Sequence, residues 1–501
     1  MALTQIEVLV AQNTSESKDE SSSTQTPISL ETGDDQDSKS WDPTKLSWPR
    51  KLHIICAGFT CTFNGNLGSS MPSGALDAIS DHFNVTNELH LTLLNSLYMV
   101  GYVLGPLVFG PLSEYVGRRP VLVGTFLGYL TFMLACSGAP TYTALVIFRL
   151  LCGINAAAPT TVISGLYSDI LDDPSHRGSA IALYMTVTSI GPLVGPIISS
   201  FSSQKSWRWP FWAAGLIAVP GLPLVLSLPE TFAPVLHNRW AKRQQWKRRD
   251  ETVIQLHPFN VRKIFLRPFT LMFTQPIVLF TSLYLTLVYS LFYLMFQAYP
   301  IIFQRMTYPP LLTKHVVVQQ LSDVFAEFYG LAPGPAGLMY LPMAGGVILS
   351  LFLFQLYDRW HLKALAAGKE WAQREIYRRL PLACFASPCM VISLFWLGWT
   401  PSHNIPPIVP ALHGIFFGAG FQMVFMGMVN YLTDAFRDQS ASANAAASTT
   451  RSIGAVVFPL AAHHMYSNLG IHWAPSLLGF VALAMGAIPF LFIKYGDRLV
   501  R

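Results

Sequence analysis

Two arginines set inside long apolar runs, Arg149 and Arg451, hold most of the chemistry this chain can offer. An arginine at the centre of a membrane-crossing helix costs about 2.5–3.5 kcal/mol even on lenient scales, so it faces a cavity or a partner. Arg149 lies deep in its run, which argues against a side chain that snorkels to the interface and for a functional role. Arg451 leaves two readings open, a ligand or ion-pair role and packing against backbone carbonyls. His413 can titrate in a useful pH range and is a candidate for proton coupling, but a lone histidine is more often a hydrogen-bonded packing residue. The acids Glu114, Asp169, Asp358 and Asp434 fall at the ends of runs, and no carboxylate sits in the middle of one. With arginines as the embedded charges, the expected small-molecule partner is lipophilic and neutral or anionic. No nucleophile–base pair or metal cluster stands out and no G-x-x-x-x-G-K-[S/T] loop occurs, so neither an enzyme nor an ATP-driven pump is expected, and no cofactor or metal.

Polar side chains within the runs could line a cavity: Asn64, Asn155, Tyr184, Gln297, Tyr299, Gln422 and Asn444. Each is also the kind of residue that hydrogen-bonds between helices. The six cysteines lie in or beside apolar runs without metal-ligand spacing and read as buried thiols.

These residues need elements that can hold them in a bilayer. Of 501 residues 51% are hydrophobic and 12% charged, against roughly a quarter charged in soluble domains. Apolar runs of spanning length fall at 52–72, 90–112, 120–138, 142–166, 178–201 and 208–228, then at 274–303, 335–356, 381–399, 406–430, 441–465 and 472–493. The fold expected is all-α and membrane-integral, with twelve transmembrane helices in two six-helix bundles. The first run is the weakest, because Asn64, Gly65, Asn66 and Gly68 interrupt it. Ser189–Pro196 (SIGPLVGP) and Ser452–Pro459 (SIGAVVFP) repeat one another, each after a loop opening on an acidic turn near Asp169 and Asp434. A hydrophobic chain whose halves repeat in parallel points to a two-bundle secondary transporter.

The domain plan is a disordered tail at 1–48, a first bundle at 49–229, a basic linker at 230–273, a second bundle at 274–494 and a short tail at 495–501. The polar first segment lacks the apolar core of a signal peptide. Arg239 to Arg267 and Arg359 to Arg379 form two basic loops on one side, while the other side carries only Lys205, Arg208, Arg305 and Lys314. The positive-inside rule therefore places both termini in the cytoplasm. Contact with an anionic lipid leaflet, rather than nucleic acid, is the expected use of the central charge. Asn84-Val85-Thr86 is a glycosylation sequon on the outer side. The segment 305–328 reads as an outward insertion or as sequence retained through a faulty gene model.

Gly110-Pro-Leu-Ser-Glu-Tyr-Val-Gly-Arg-Arg-Pro120 links the second and third runs. Gly110 and Gly117 permit a tight turn, and Glu114 lies close to Arg118 and Arg119. The cluster could latch the two bundles, or act as a positive turn that only fixes topology. In this motif the chain resembles the major facilitator superfamily, and more closely its fungal twelve-span branch of drug:proton antiporters. Arg149-Leu-Leu-Cys-Gly153, Gly191-Pro-Leu-Val-Gly-Pro196, Trp207-Arg-Trp-Pro-Phe-Trp212, Leu228-Pro-Glu-Thr231 and Lys494-Tyr-Gly-Asp-Arg498 extend the likeness from about residue 45 to the end. The resemblance implies an alternating-access exporter of small lipophilic or cationic compounds at the plasma membrane, working as a monomer in exchange for protons. It also implies that Arg149 takes part in proton coupling. Gly191, Pro192, Gly195 and Pro196 match a helix-five motif tied to antiporters, though the second-half copy keeps only Gly454 and Pro459. Other readings are a uniporter or importer, including one for polyamines, a transporter-like solute sensor, and a vacuolar address.

Overall fold

The computed structural model describes residues 43–171, 174–232, 235–236, 270–303, 329–374, 376–402, 404–436 and 440–499. The basic linker charges from Arg239 to Arg267, most of the first tail and the segment 305–328 lie outside the described residues.

The first half runs through α1 (Trp48–Ser70), α2 (Glu88–Val116) and α3 (Arg118–Ser137). It continues in α4, built of Tyr142–Ala156 and Ala158–Ile170, and α5 (Pro174–Ser202). Next is α6, in which Pro220 and Pro223 divide the helix into Trp209–Ala218, Val219–Gly221 and Leu222–Leu226. The second half holds α7 (Pro276–Phe303), α8 (Pro333–Leu338 and Leu341–Ala366), α9 (Ile376–Trp399) and α10 (His413–Ala435). Ser440–Met485 then turns at Gly470 (φ 73°, ψ 176°), a Gly-only backbone that separates α11 at 440–469 from α12 at 471–485. Ile488–Leu499 follows it.

Ten described helical stretches are long and apolar enough to cross a membrane, and one of them holds both α11 and α12. α1, 23 residues long, is not among the ten. The polar interruption expected in the first run does not break α1. Asn64 and Asn66 donate back to the carbonyls of Thr60 and Thr62, each at 2.9 Å, so their amides are bonded inside the helix. Gly65 and Gly68 are there for proximity, since a Cβ on Gly65 would stand 2.9 Å from the Ala156 carbonyl oxygen.

Neighbour relations repeat between the halves. In the first, α1 packs on α5, α2 on α4 and α3 on α4; in the second, α7 packs on α11, α8 on α10 and α9 on α10. Small residues allow these crossings. A Cβ on Gly101 of α2 would lie 2.4 Å from the Gly153 carbonyl carbon of α4, and one on Gly454 of α11 would lie 2.3 Å from Ser290 Oγ of α7. Large apolar side chains such as Leu216, Phe352, Leu356 and Leu483 remain exposed on the outside, as a lipid-facing surface requires.

Contacts between the halves are concentrated away from the Gly117 turn. The last turns of α5 meet the start of α8, where a Cβ on Gly334 would stand 2.7 Å from the Phe201 ring and one on Gly337 2.8 Å from Ser200 Oγ. Three hydrogen bonds cross between described residues of the halves: Ser69 with Tyr293 (3.2 Å), Ser96 to the Val456 carbonyl (3.2 Å) and Ser189 to Gln422 (2.5 Å).

Candidate functional site

Arg149 is wholly buried in α4 and each guanidinium nitrogen donates to a backbone carbonyl. Nη1 meets Gly68 at 2.7 Å, Nη2 meets Ser69 at 2.9 Å and Nε meets Leu94 at 3.0 Å. Gly68 and Ser69 belong to the last turn of α1, whose carbonyls have no partner within the helix. The Tyr98 ring covers the guanidinium at 4.3 Å. Arg149 therefore ties the end of α1 to α2 and α4.

Arg451 of α11 is different. It is half-buried, and the hydrogen bond it makes among the described residues is from Nη2 to Ser448 Oγ at 3.2 Å. Its guanidinium lies over two rings, 5.0 Å from that of Phe425 and 5.5 Å from that of Tyr289. These rings belong to a stack in which Phe421 and Phe425 are nearly parallel, and Phe292 meets Phe421 at 4.4 Å. The first half meets this stack through Ser69, which bonds Tyr293, and through Ser189, which bonds Gln422 next to Phe421. Arg451 thus lies against rings of the second half, beside bonds that cross to the first.

Several polar atoms, spread over both halves, have no partner among the described residues. They include Tyr102 Oη, Asn64 Oδ1 and Gln422 Nε2, all buried. An unpaired buried polar atom costs roughly 1–3 kcal/mol, so such a group is a natural place for a ligand or water.

The other expected cavity residues divide. Gln422 joins the central group, through Ser189 at the seam. Asn155 instead bonds the Leu151 carbonyl and faces Gly128 of α3, where a Cβ would come within 2.3 Å of its Oδ1. Asn444 donates to Thr433 Oγ1 at 2.8 Å, joining α11 to α10 near the helix ends. Tyr299 pairs with His413 at 3.0 Å and stacks on Tyr340 at 4.3 Å, all within the second half. Gln297 lies on α7, buried with Nε2 unpartnered. Asn84 is exposed and left-handed (φ 53°) at the end of the short helix Leu76–Phe83.

At the other end, the turn between α2 and α3 is built around a residue that sequence reasoning placed only in a helix-closing motif. The Glu230 carboxylate accepts from the backbone N–H groups of Arg118 (2.9 Å), Arg119 (3.3 Å), Thr231 and Phe232 (3.1 Å each). It thereby caps the N-terminus of α3, where negative charge is favoured. Gly117 (φ 115°, ψ 161°) is the price of that approach, since a Cβ there would stand 2.3 Å from Glu230 Oε2. Arg118 pairs with Asp169 at 3.4 Å and donates to Ser113 Oγ at 2.9 Å. Burial pushes the Asp169 carboxyl up from its ordinary range, with the Arg118 charge opposing. Glu114 is exposed, and Gly110 has only Thr161 near it, at 3.9 Å. Arg119 donates to the Leu226 carbonyl at 3.3 Å. The second half repeats the pair as Arg379–Asp434 (2.8 Å), beside Arg378–Asp358 (3.3 Å). Among described residues the bonds of this cluster join helix ends within each half.

In α5, Pro196 has no N–H for the Pro192 carbonyl one turn back. Ser70 Oγ of α1 donates to that carbonyl at 2.6 Å, and Gly191 and Gly195 let α1 approach, with Cβ positions 3.0 Å from Phe63 O and 2.2 Å from Ser70 Oγ. The motif brings α1 and α5 into close packing and joins them by one hydroxyl hydrogen bond.

The described residues form a multi-pass helical protein built of two repeated halves. The chain belongs to the Major Facilitator Superfamily, whose family model matches residues 58–412. It is 32% identical to "Efflux pump FUB11" of Gibberella moniliformis, over 90% of this chain and 73% of that one. It is also 32% identical to "MFS-type efflux pump MFS2" of Trichophyton rubrum, over 91% and 74%. The crystal structure of the human organic anion transporter MFSD10 shares the fold at 16% identity, TM-score 0.54, covering 90% of this chain and 99% of that one.

Proposed function

We propose that this transporter exports small lipophilic compounds by alternating access, in exchange for protons, from the plasma membrane of the cell. The observation that carries the reading is the aromatic cluster beside Arg451, whose neighbours Tyr293 and Gln422 bond across the seam to Ser69 and Ser189. The efflux relatives, similar along most of the chain, support the direction. With the termini cytoplasmic, the α5–α8 contacts close the outer end and the conformation is the one that loads from inside. Exchange takes place when the halves rock about the seam, breaking those contacts and closing the Gly117 end, where the latch residues lie. The working unit is a single chain.

A second reading, movement without proton exchange, is favoured by one observation. The described acids Glu114, Asp169, Glu230, Asp358 and Asp434 lie toward helix ends, and no described carboxylate reaches the Arg451 chamber. Purified protein in liposomes with an imposed pH gradient separates the two. Accumulation of a lipophilic panel that collapses with a protonophore supports exchange; equilibration untouched by it supports facilitated movement; no movement of any member refutes export.

A further inference from the structure

We propose that the central site takes aromatic carboxylates, the carboxylate held on the free edge of the Arg451 guanidinium and the arene laid against the Tyr289–Phe425 walls. The inference rests on the export reading for its direction, but its ligand chemistry comes from the residues alone. The two embedded arginines differ in what they leave open. Arg149 uses all three of its nitrogens on helix-end carbonyls. Arg451 uses Nη2 alone among the described residues, on a serine hydroxyl, so its Nε and Nη1 have no described acceptor.

Geometry favours an anion with two oxygens. The Arg451 guanidinium carbon lies 5.0 Å from the Phe425 ring centre and 5.5 Å from that of Tyr289, and two of its nitrogens keep N–H groups without a described acceptor. That planar fork matches a carboxylate bidentately, which an ammonium or a hydroxyl would not exploit. Two neutral groups that can donate stand on helices lining the same chamber. Tyr102 Oη and Gln422 Nε2 are buried and lack a partner among the described residues, while Gln422 Oε1 is fixed by Ser189 Oγ. Both suit the further lone pairs of a carboxylate.

The walls specify the remainder of the ligand. Tyr289, Phe292, Tyr293, Phe421 and Phe425 are a continuous aromatic set, with ring centroids 4.4–6.4 Å apart and several planes within 30° of one another. An arene continues such a stack by offset packing. A cation is disfavoured because Arg451 repels it and no described carboxylate offsets that charge.

Binding of 2-naphthoate and biphenyl-4-carboxylate to the purified full chain, each compared with its own primary amide at pH 7.5, tests the assignment by calorimetry. Each acid should bind at least about tenfold more tightly than its amide, equivalent to ~1.4 kcal/mol. Arg451→Gln should erase that preference, so that acid and amide bind alike, and Arg451→Lys, which keeps charge but loses the fork, should restore part of it. Amides that bind as well as acids overturn the proposal, as does a preference that survives in Arg451→Gln. Loss of amide binding in both variants, with wild-type preference present, would assign Arg451 to the fold and overturn the direct contact. Vesicle export of neutral compounds without any acid binding would leave the export reading standing and this one refuted. Acid binding without export of anything would do the reverse.

Discussion

Arg149 ties α4 to α1 and α2, which the Tyr98 hydroxyl also joins through the Gly65 carbonyl. Its three carbonyl partners come from two helices, and two of those carbonyls end α1. Replacing it with alanine leaves buried carbonyls unpaired and costs about 3 kcal/mol or more. Arg149→Ala should therefore lose thermal stability and transport together, measured by melting in detergent and by vesicle uptake, and Arg149→Lys should recover only part of each. Transport lost at unchanged melting temperature would instead place Arg149 in coupling and set aside the structural role. Gly117 gives a second residue-scale outcome. Its φ of 115° with ψ 161° is a region essentially closed to other residues, at about 1–3 kcal/mol, and the Glu230 carboxylate blocks the Cβ position as well. Gly117→Ala should lower the melting temperature even where Glu230→Gln, which keeps shape and most acceptor capacity, lowers it only slightly; equal effects would show that charge at the α3 terminus dominates over space.

The elements were legible in the sequence wherever a run was simply apolar, because length and hydropathy suffice to define a spanning helix. The α1 boundary was harder, since its asparagines and glycines resemble a loop until their back-bonds and close neighbours are seen. Partners were harder still. Glu230 lies more than a hundred positions from the arginine backbone it caps, and no spacing rule links the two. Asn155 and Asn444 looked like cavity residues because side-chain direction on a buried helix is not encoded in polarity. The α5 motif was visible, but not the reason for its prolines. If Pro196 leaves the Pro192 carbonyl for Ser70, then Ser70→Ala should cost about 1–3 kcal/mol in the native background. The same change should cost clearly less beside Pro196→Ala, where an N–H one turn on can take the carbonyl. Additive losses in melting experiments across this double-mutant cycle would separate the two residues and remove the hydroxyl from the motif's function.

At the scale of the molecule, a repeat seen in eight residues became a repeat of contacts, with α1–α5 answered by α7–α11 and Arg118–Asp169 by Arg379–Asp434. The halves depart from symmetry at the centre, where α5 carries Thr188 bonded to the Tyr184 carbonyl and α11 carries Arg451 against two rings. A rocking exporter must open the α5–α8 contact once per cycle, and this can be tested by fixing it. The Cβ positions of Ser200 and Gly337 fall 2.9 Å apart, near enough for a disulfide after a small adjustment toward the usual ~3.8 Å. A Ser200→Cys and Gly337→Cys double variant, with the native cysteines replaced, should transport normally when reduced and stop when oxidised. Ligand binding from the Gly117 end should persist in the oxidised form, because the chamber itself is unaltered. Transport that continues through an intact crosslink would mean that the route avoids this seam and that the halves need not separate there.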